Sequence, residues 1–164
     1  MLHSLTVDHV VLSSPGSLRI AVIQSTYHAD LNQNLVDACL DVLQANGLSR
    51  EQVDIIPAPG TWEIPLLARA LAQSGRYHGI AAFGVLVKGD TYHFDMIANE
   101  VARSLMETSV QFQIPVGFEV LAVGNLEQAT RRASRNEHNK GYEAGNAILK
   151  AIASLPMVQA LSQG

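Results

Sequence analysis

The stretch Gly84-Val85-Leu86-Val87-Lys88-Gly89-Asp90-Thr91-Tyr92-His93-Phe94-Asp95 carries the residues best suited to chemistry. It begins as an apolar strand, turns at Lys88-Gly89 and runs into a polar segment that opens a helix. The first N–H groups of a helix have no partner within it, and the helix dipole makes that end positive. Such a turn presents an anion cradle at the edge of a sheet. Asp90 and Thr91 suit the cap. His93 sits just beyond, and histidine takes and gives protons most readily near neutral pH. The stretch is either an anion site beside a proton-transfer group or a plain strand-to-helix turn with a surface histidine. It is not a Walker A loop, since the Gly-Lys-Ser/Thr ending is missing. It is not a dinucleotide fingerprint, since no glycine triad follows the first strand.

Three further groups carry candidate chemistry. Gly60-Thr61-Trp62-Glu63-Ile64-Pro65 opens another helix, and its backbone N–H groups can meet the polar edge of a ligand. Trp62, the only tryptophan, reads first as a core or inter-subunit packing residue, and Glu63 can simply complement the helix dipole. Tyr27 and His28 follow the first strand, where an aromatic ring can stack on a flat ligand or simply occupy an exposed loop. Arg131, Arg132, Arg135 and Lys140 form the only basic cluster. One of them could clamp a phosphate; otherwise the cluster is a solvated helix face. The six histidines show no metal-ligand spacing, so no metal is expected.

The elements that must hold these residues alternate strand and helix. Leu18–Ser25, Val53–Pro57, Gly79–Val87 and Val116–Val123 read as strands. The third is the most apolar, hence central. Asp30, with Gln33 three residues on, predicts a capped helix that stops at Gly47. The next helix starts between Thr61 and Pro65, because proline is tolerated only in the first turn. A third runs from the His93 turn to about Phe112. Asn125 caps a short helix over Leu126–Ala133, and a last helix spans about Asn139 to Ala153, stopped by Pro156. The expected fold is α/β, a three-layer flavodoxin-like sandwich on a four-stranded parallel sheet. Ligands then bind beyond the C-terminal strand ends, where the candidate loops gather. Residues 1–17 read as an arm, either loose or added as a strand to a neighbouring subunit's sheet. Residues 18–164 read as a single domain.

Composition excludes several classes. The chain has 164 residues, 48% of them hydrophobic and 16% charged, which is globular rather than disordered. A net charge of −4 argues against nucleic acid as a partner. Cys39 is the only cysteine and falls in an apolar helical pattern, so it reads as a small buried hydrophobe. The sequence has no signal-peptide pattern and no uninterrupted apolar run of the ~20 residues a membrane span needs. A soluble cytoplasmic protein without a membrane partner is expected.

Taken together, the blocks go beyond generic chemistry. Pro59–Pro65 (PGTWEIP), Gly84–Asp95 (GVLVKGDTYHFD), the following NEVARSL, IPVGFEVL and NKGYEAGNAIL resemble the 6,7-dimethyl-8-ribityllumazine synthase family, in order and spacing. The resemblance covers roughly Arg19 to Ile152. It implies the penultimate step of riboflavin biosynthesis: a cofactor-free transferase that condenses 5-amino-6-(D-ribitylamino)uracil with 3,4-dihydroxy-2-butanone 4-phosphate. It also implies homopentamers with sites between adjacent subunits. By position, His93 would be the general acid/base, and Asp90 and Thr91 would hold the phosphate. Tyr27 falls where the family stacks an aromatic on the pyrimidine, and Thr61, Trp62 and Glu63 would line the pyrimidine and ribityl pocket. From the adjacent subunit, Phe118 would close the pocket, Arg132 would pair with the phosphate and Lys140 would contact ligand polar groups.

The sequence departs from the family at the link before the last helix. Ser134-Arg135-Asn136-Glu137-His138-Asn139 stands where many members carry a glycine-rich segment that shapes contacts between pentamers. That departure bears on shells of pentamers rather than on the pentamer. It also makes Arg135 a rival to Arg132 for the phosphate. The alternative function is a non-catalytic lumazine or flavin binder of the same fold, for which a proton-transfer group would be superfluous. A flavodoxin-like signalling domain would want an acidic cluster after the first strand, but Gln24-Ser25 stands there.

Overall fold

A computed structural model describes residues 7–163. Four strands form one parallel sheet: β1 (Ile20–Ser25), β2 (Val53–Ala58), β3 (Gly79–Val87) and β4 (Val116–Val123), in the order β2-β1-β3-β4. β1 and β3 are almost wholly buried. That is why they are near-continuous apolar runs rather than alternating ones. The helices are α1 (Ala29–Ala45), α2 (Ile64–Gln73), α3 (His93–Phe112), α4 (Leu126–Ala133) and α5 (Lys140–Leu161). One apolar core joins α1, α4 and α5 to one face of the sheet through Leu35, Cys39, Val42, Ala129 and Ile148. The other joins α2 and α3 to the opposite face through Ile64, Ala68, Val101 and Leu105. The architecture is the expected three-layer sandwich, with β3 inside the sheet.

The strand order reverses direction between β1 and β3. From there the chain is laid outward to β2 on one side and to β4 on the other. Beyond their C-terminal ends the sheet opens a crevice. The register aligns Gln24 with Pro57 and Phe83, and Phe83 with Glu119, so the loops after the strands emerge at one edge.

Glycines set the closest approaches on the α1 and α5 side. A Cβ on Gly141 would lie 1.9 Å from the Leu35 carbonyl oxygen, and one on Gly145 would lie 2.8 Å from Val42 Cβ. α5 therefore rests directly on the α1 backbone. Asn139, fully buried at its N-cap, fixes the start. Its amide donates to the carbonyls of Asn34, Ala133 and Ser134, and its Oδ1 accepts from Gly141 N–H at 2.8 Å.

Several helix ends differ from the sequence-based expectation. Asp30 is not the cap of α1. The helix starts at Ala29 with His28 in the cap position, and Asp30 lies in the first turn, where its charge suits the dipole. Gln33 bonds Gln24 and Asp37 instead of closing a capping box. Asp90 and Thr91 do not cap α3. Tyr92 occupies that position without a side-chain cap bond, and the Thr91 hydroxyl only accepts from His93 N–H at 3.4 Å. The last helix does not stop at Pro156 but continues to Leu161. An interior proline removes one helical N–H, here in a stretch whose neighbours are mostly exposed. The length and composition of α5 would allow a membrane span. Its first half, from Gly141 to Leu149, is instead buried against the protein.

The described part of the N-terminal arm forms no strand and is not loose. Asp8 N–H donates to Asn146 Oδ1 at 3.0 Å and Val10 N–H to Asn46 Oδ1 at 2.8 Å, with Val10 and Leu12 against the core. Residues 1–6 of the arm lie outside the described residues.

Candidate active site

A cavity of about 590 Å³ opens at the C-terminal ends of β1 and β3. Tyr27, Thr61, Trp62, Glu63 and His93 line it together, from three segments far apart in sequence. Each is placed by a local device. Thr26 N–H donates to the Ala58 carbonyl at 2.8 Å and the Thr26 hydroxyl to the Pro59 carbonyl at 3.2 Å, which draws the loop after β1 against the loop after β2. Thr61–Glu63 forms a single 3-10 turn leading into α2. Thr61 is buried against β3, while Trp62 is 57% exposed and turned to the opening. His93, the first residue of α3, is exposed on the wall it shares with a second cavity of about 700 Å³. Trp62, Tyr92, Asp95 and Glu100 also line that cavity.

Asp90 and Thr91 are exposed on the hinge before His93 and line neither cavity. Within one chain, the cavity's polar groups include no arginine or lysine.

Phe118, Arg132 and Lys140 are elsewhere. Phe118 is on β4, 45% exposed, in a small cleft with Leu105 and Met106. Arg132 is in the last turn of α4 and donates to its own helix at Gln128 O. Lys140 begins α5 and pairs with Glu143 at 2.5 Å. All three belong to β4 or the helices that follow it. None of the three lines the cavity of their own chain.

Arg135 is differently occupied. Its guanidinium lies 2.8 Å from Asp37 and 3.9 Å from Asp41, both on α1. It borders a separate cleft of about 320 Å³ with Arg50.

The comparisons with known proteins agree over nearly the whole chain. A model of the 6,7-dimethyl-8-ribityllumazine synthase family matches residues 17–155. The chain belongs to that family. A 6,7-dimethyl-8-ribityllumazine synthase of Nitratidesulfovibrio vulgaris (strain DP4) is 37% identical over 93% of this chain and 96% of its own. One of Chlorobium chlorochromatii is 36% identical over 85% and 90%. Synthase 1 of Caulobacter vibrioides is 37% identical over 90% and 97%.

In this lumazine synthase family member the cavity also has walls that motif reading did not single out. Val85, Leu86 and Val87 expose the end of β3 to it, and Leu126 reaches it from α4. Their signal was positional: in a doubly wound sheet the last residues of the central strand face the crevice. His28 lines the cavity as well.

Charge is unevenly tuned around the fold. Burial pushes the Glu119 carboxyl on β4 up to about 8, with the nearby Glu143 carboxylate adding to the rise and Lys140 opposing it. Burial likewise pushes the Cys39 thiol up to about 12, so it behaves as a small hydrophobe rather than a nucleophile. No group of three or more His, Cys, Asp or Glu residues among those described could hold a metal.

Proposed function

We infer that this chain condenses 5-amino-6-(D-ribitylamino)uracil with 3,4-dihydroxy-2-butanone 4-phosphate to 6,7-dimethyl-8-ribityllumazine, the penultimate step of riboflavin biosynthesis. The observation that carries this reading is the convergence of Tyr27, Thr61, Trp62, Glu63 and His93 on one cavity, in a chain of the lumazine synthase family. Tyr27 stacks on the flat pyrimidine. Thr61, Trp62 and Glu63 hold its polar edge and the ribityl chain. Asp90 and Thr91 hold the phosphate ester beside the start of α3, through backbone and hydroxyl groups.

The chemistry asks more for placement than for strong acids or bases. The amine of the pyrimidine attacks the ketone, water leaves as the imine forms, and phosphate is then eliminated. Ring closure releases a second water. His93 moves protons through these steps. Holding both reactants in one cavity supplies much of the remaining acceleration.

The site needs a cation for the phosphate, and the cavity has none of its own. Arg132 supplies it from an adjacent subunit, Phe118 of the same neighbour closes over the ring, and Lys140 contacts ligand polar groups. This reading makes the chain a cytoplasmic homo-oligomer built on pentamers. Arg135 is less suited to the phosphate than Arg132, because Asp37 and Asp41 already engage it.

Mixing both substrates with the purified protein and following lumazine absorbance and phosphate release tests the reaction. Turnover well above the uncatalysed rate is expected. A rate equal to that background would leave a lumazine- or flavin-binding protein of the same fold.

A further inference from the structure

His28 follows Tyr27 and lines the same cavity as His93. Its backbone is left-handed, with φ 56° and ψ 50°. Few residues other than glycine adopt that conformation, histidine and asparagine more readily than most, and it persists where the surroundings support it. Here the surroundings are Asn32. This residue is fully buried, and its Nδ2 donates to the carbonyls of Tyr27 at 2.8 Å and His28 at 3.3 Å. Its Oδ1 is buried without a partner, so the amide is committed to the loop at the expense of its own acceptor. If only the backbone turn mattered, glycine or asparagine would serve better at position 28.

That backbone sets where the imidazole leaves the cavity wall. Its ring lies 4.7 Å from the Tyr27 ring at an interplanar angle of 75°. A flat ligand stacked on Tyr27 would lie at the same steep angle to the imidazole. His28 cannot share that stack and meets such a ligand through a ring nitrogen. No described residue hydrogen-bonds those nitrogens; the contact with Tyr27 is the interaction the side chain makes.

We propose that His28, locked into the cavity wall by Asn32, is a substrate-contacting residue that hydrogen-bonds the polar edge of the pyrimidine stacked on Tyr27. The assignment rests on the reading of the cavity given above. It adds a second histidine to the site, on the wall that leaves β1, whereas His93 enters on α3.

Two variants separate a side-chain contact from a backbone role. His28→Gly removes the imidazole yet suits a left-handed residue, so its melting temperature should not fall below that of the wild type. Its KM for the ribitylaminouracil should rise about tenfold, as expected for one lost polar contact, while KM for the phosphate ester stays within about twofold. His28→Asn keeps a hydrogen-bonding group that tolerates the conformation, and should recover most of the loss. Quenching of Trp62 fluorescence by the ribitylaminouracil reports the same affinities without turnover. Unchanged pyrimidine affinity in His28→Gly overturns the proposal. So does an equal loss for both substrates that asparagine fails to restore. A wild type that binds the pyrimidine without turnover, with weaker binding in His28→Gly, upholds the contact and removes the reaction instead.

Discussion

A methyl group on Gly84 would stand 2.8 Å from the Thr61 hydroxyl oxygen and 3.2 Å from Ile64 Cδ1. The missing side chain in β3 is therefore what allows the turn before α2 to sit directly on the sheet. Thr61, Trp62 and Glu63 owe their position to it. Gly84→Ala should force that turn outward. The expected cost is about 1–3 kcal/mol of stability, as for other overpacked cores. A larger KM for the pyrimidine substrate should accompany it. Denaturant midpoints and steady-state kinetics measure both. Gly16→Ala, whose added methyl meets nothing within 4 Å, is the control and should change neither.

Glu119 gives the fold an acid-favouring component. Its carboxyl titrates near 8 when folded, against 4.5 as the ordinary value. Between those limits the unfolded chain has released a proton that the folded chain retains. The unfolded state then binds fewer protons, so this group's contribution to stability falls as pH rises and is fully lost above about pH 8. Glu119→Gln removes that dependence. The variant should gain on the wild type by a few kcal/mol, to order of magnitude, between about pH 5 and pH 8.5. Urea unfolding of both proteins at the two pH values measures the difference. A constant gap would mean that Glu119 ionises normally.

Much of this was legible in the sequence, for reasons that differ from element to element. β1 and β3 announced themselves because burial on both faces demands unbroken apolar runs. The Asn125 cap was readable because its side-chain bond to Gln128 N–H, at 2.9 Å, is local. Asp30 misled because the start of α1 is set by a side-chain bond reaching back from inside the helix, which no N-cap rule anticipates. The buried Asn32 amide pins the Tyr27 and His28 carbonyls, and His28 takes the cap position that a sequence rule gives to aspartate. Pro156 misled because a helix near its exposed end tolerates a lost N–H that solvent can compensate. The cavity residues were readable as motifs, but Val85 to Val87 were not named as site residues, since their apolar types carry no chemistry and only their place at the end of the central strand points to the crevice.

On the proposed mechanism His93 is the proton-transfer group, and it reaches the cavity from the start of α3. His93→Gln keeps a polar side chain of similar reach without the acid/base function. It should lower kcat by about 10²-fold or more and leave both KM values within a few-fold. Activity above background should persist, because positioning of the two reactants survives the change. Steady-state kinetics decides it. A raised KM with unchanged kcat would make His93 a binding residue only.

Arg132 and His93 are contributed by different parts of the fold, and the cavity that contains His93 contains no arginine. If each site takes His93 from one subunit and Arg132 from its neighbour, the two defects can complement. Arg132→Ala alone should raise KM for the phosphate substrate about tenfold or more, as expected for a lost charge-assisted pair. His93→Gln alone loses turnover. Co-assembled in equal amounts, a symmetric ring of both variants would contain sites with both native residues at about a quarter of its interfaces. At phosphate-substrate concentrations well below the raised KM, roughly a quarter of wild-type activity should return after joint refolding, and no gain should follow the mixing of intact oligomers that do not exchange subunits. Recovery sets the site between subunits; its absence after proven co-assembly would return both residues to a single chain. Arg135→Ala, with its guanidinium already held by Asp37 at 2.8 Å, should leave KM for the phosphate substrate unchanged.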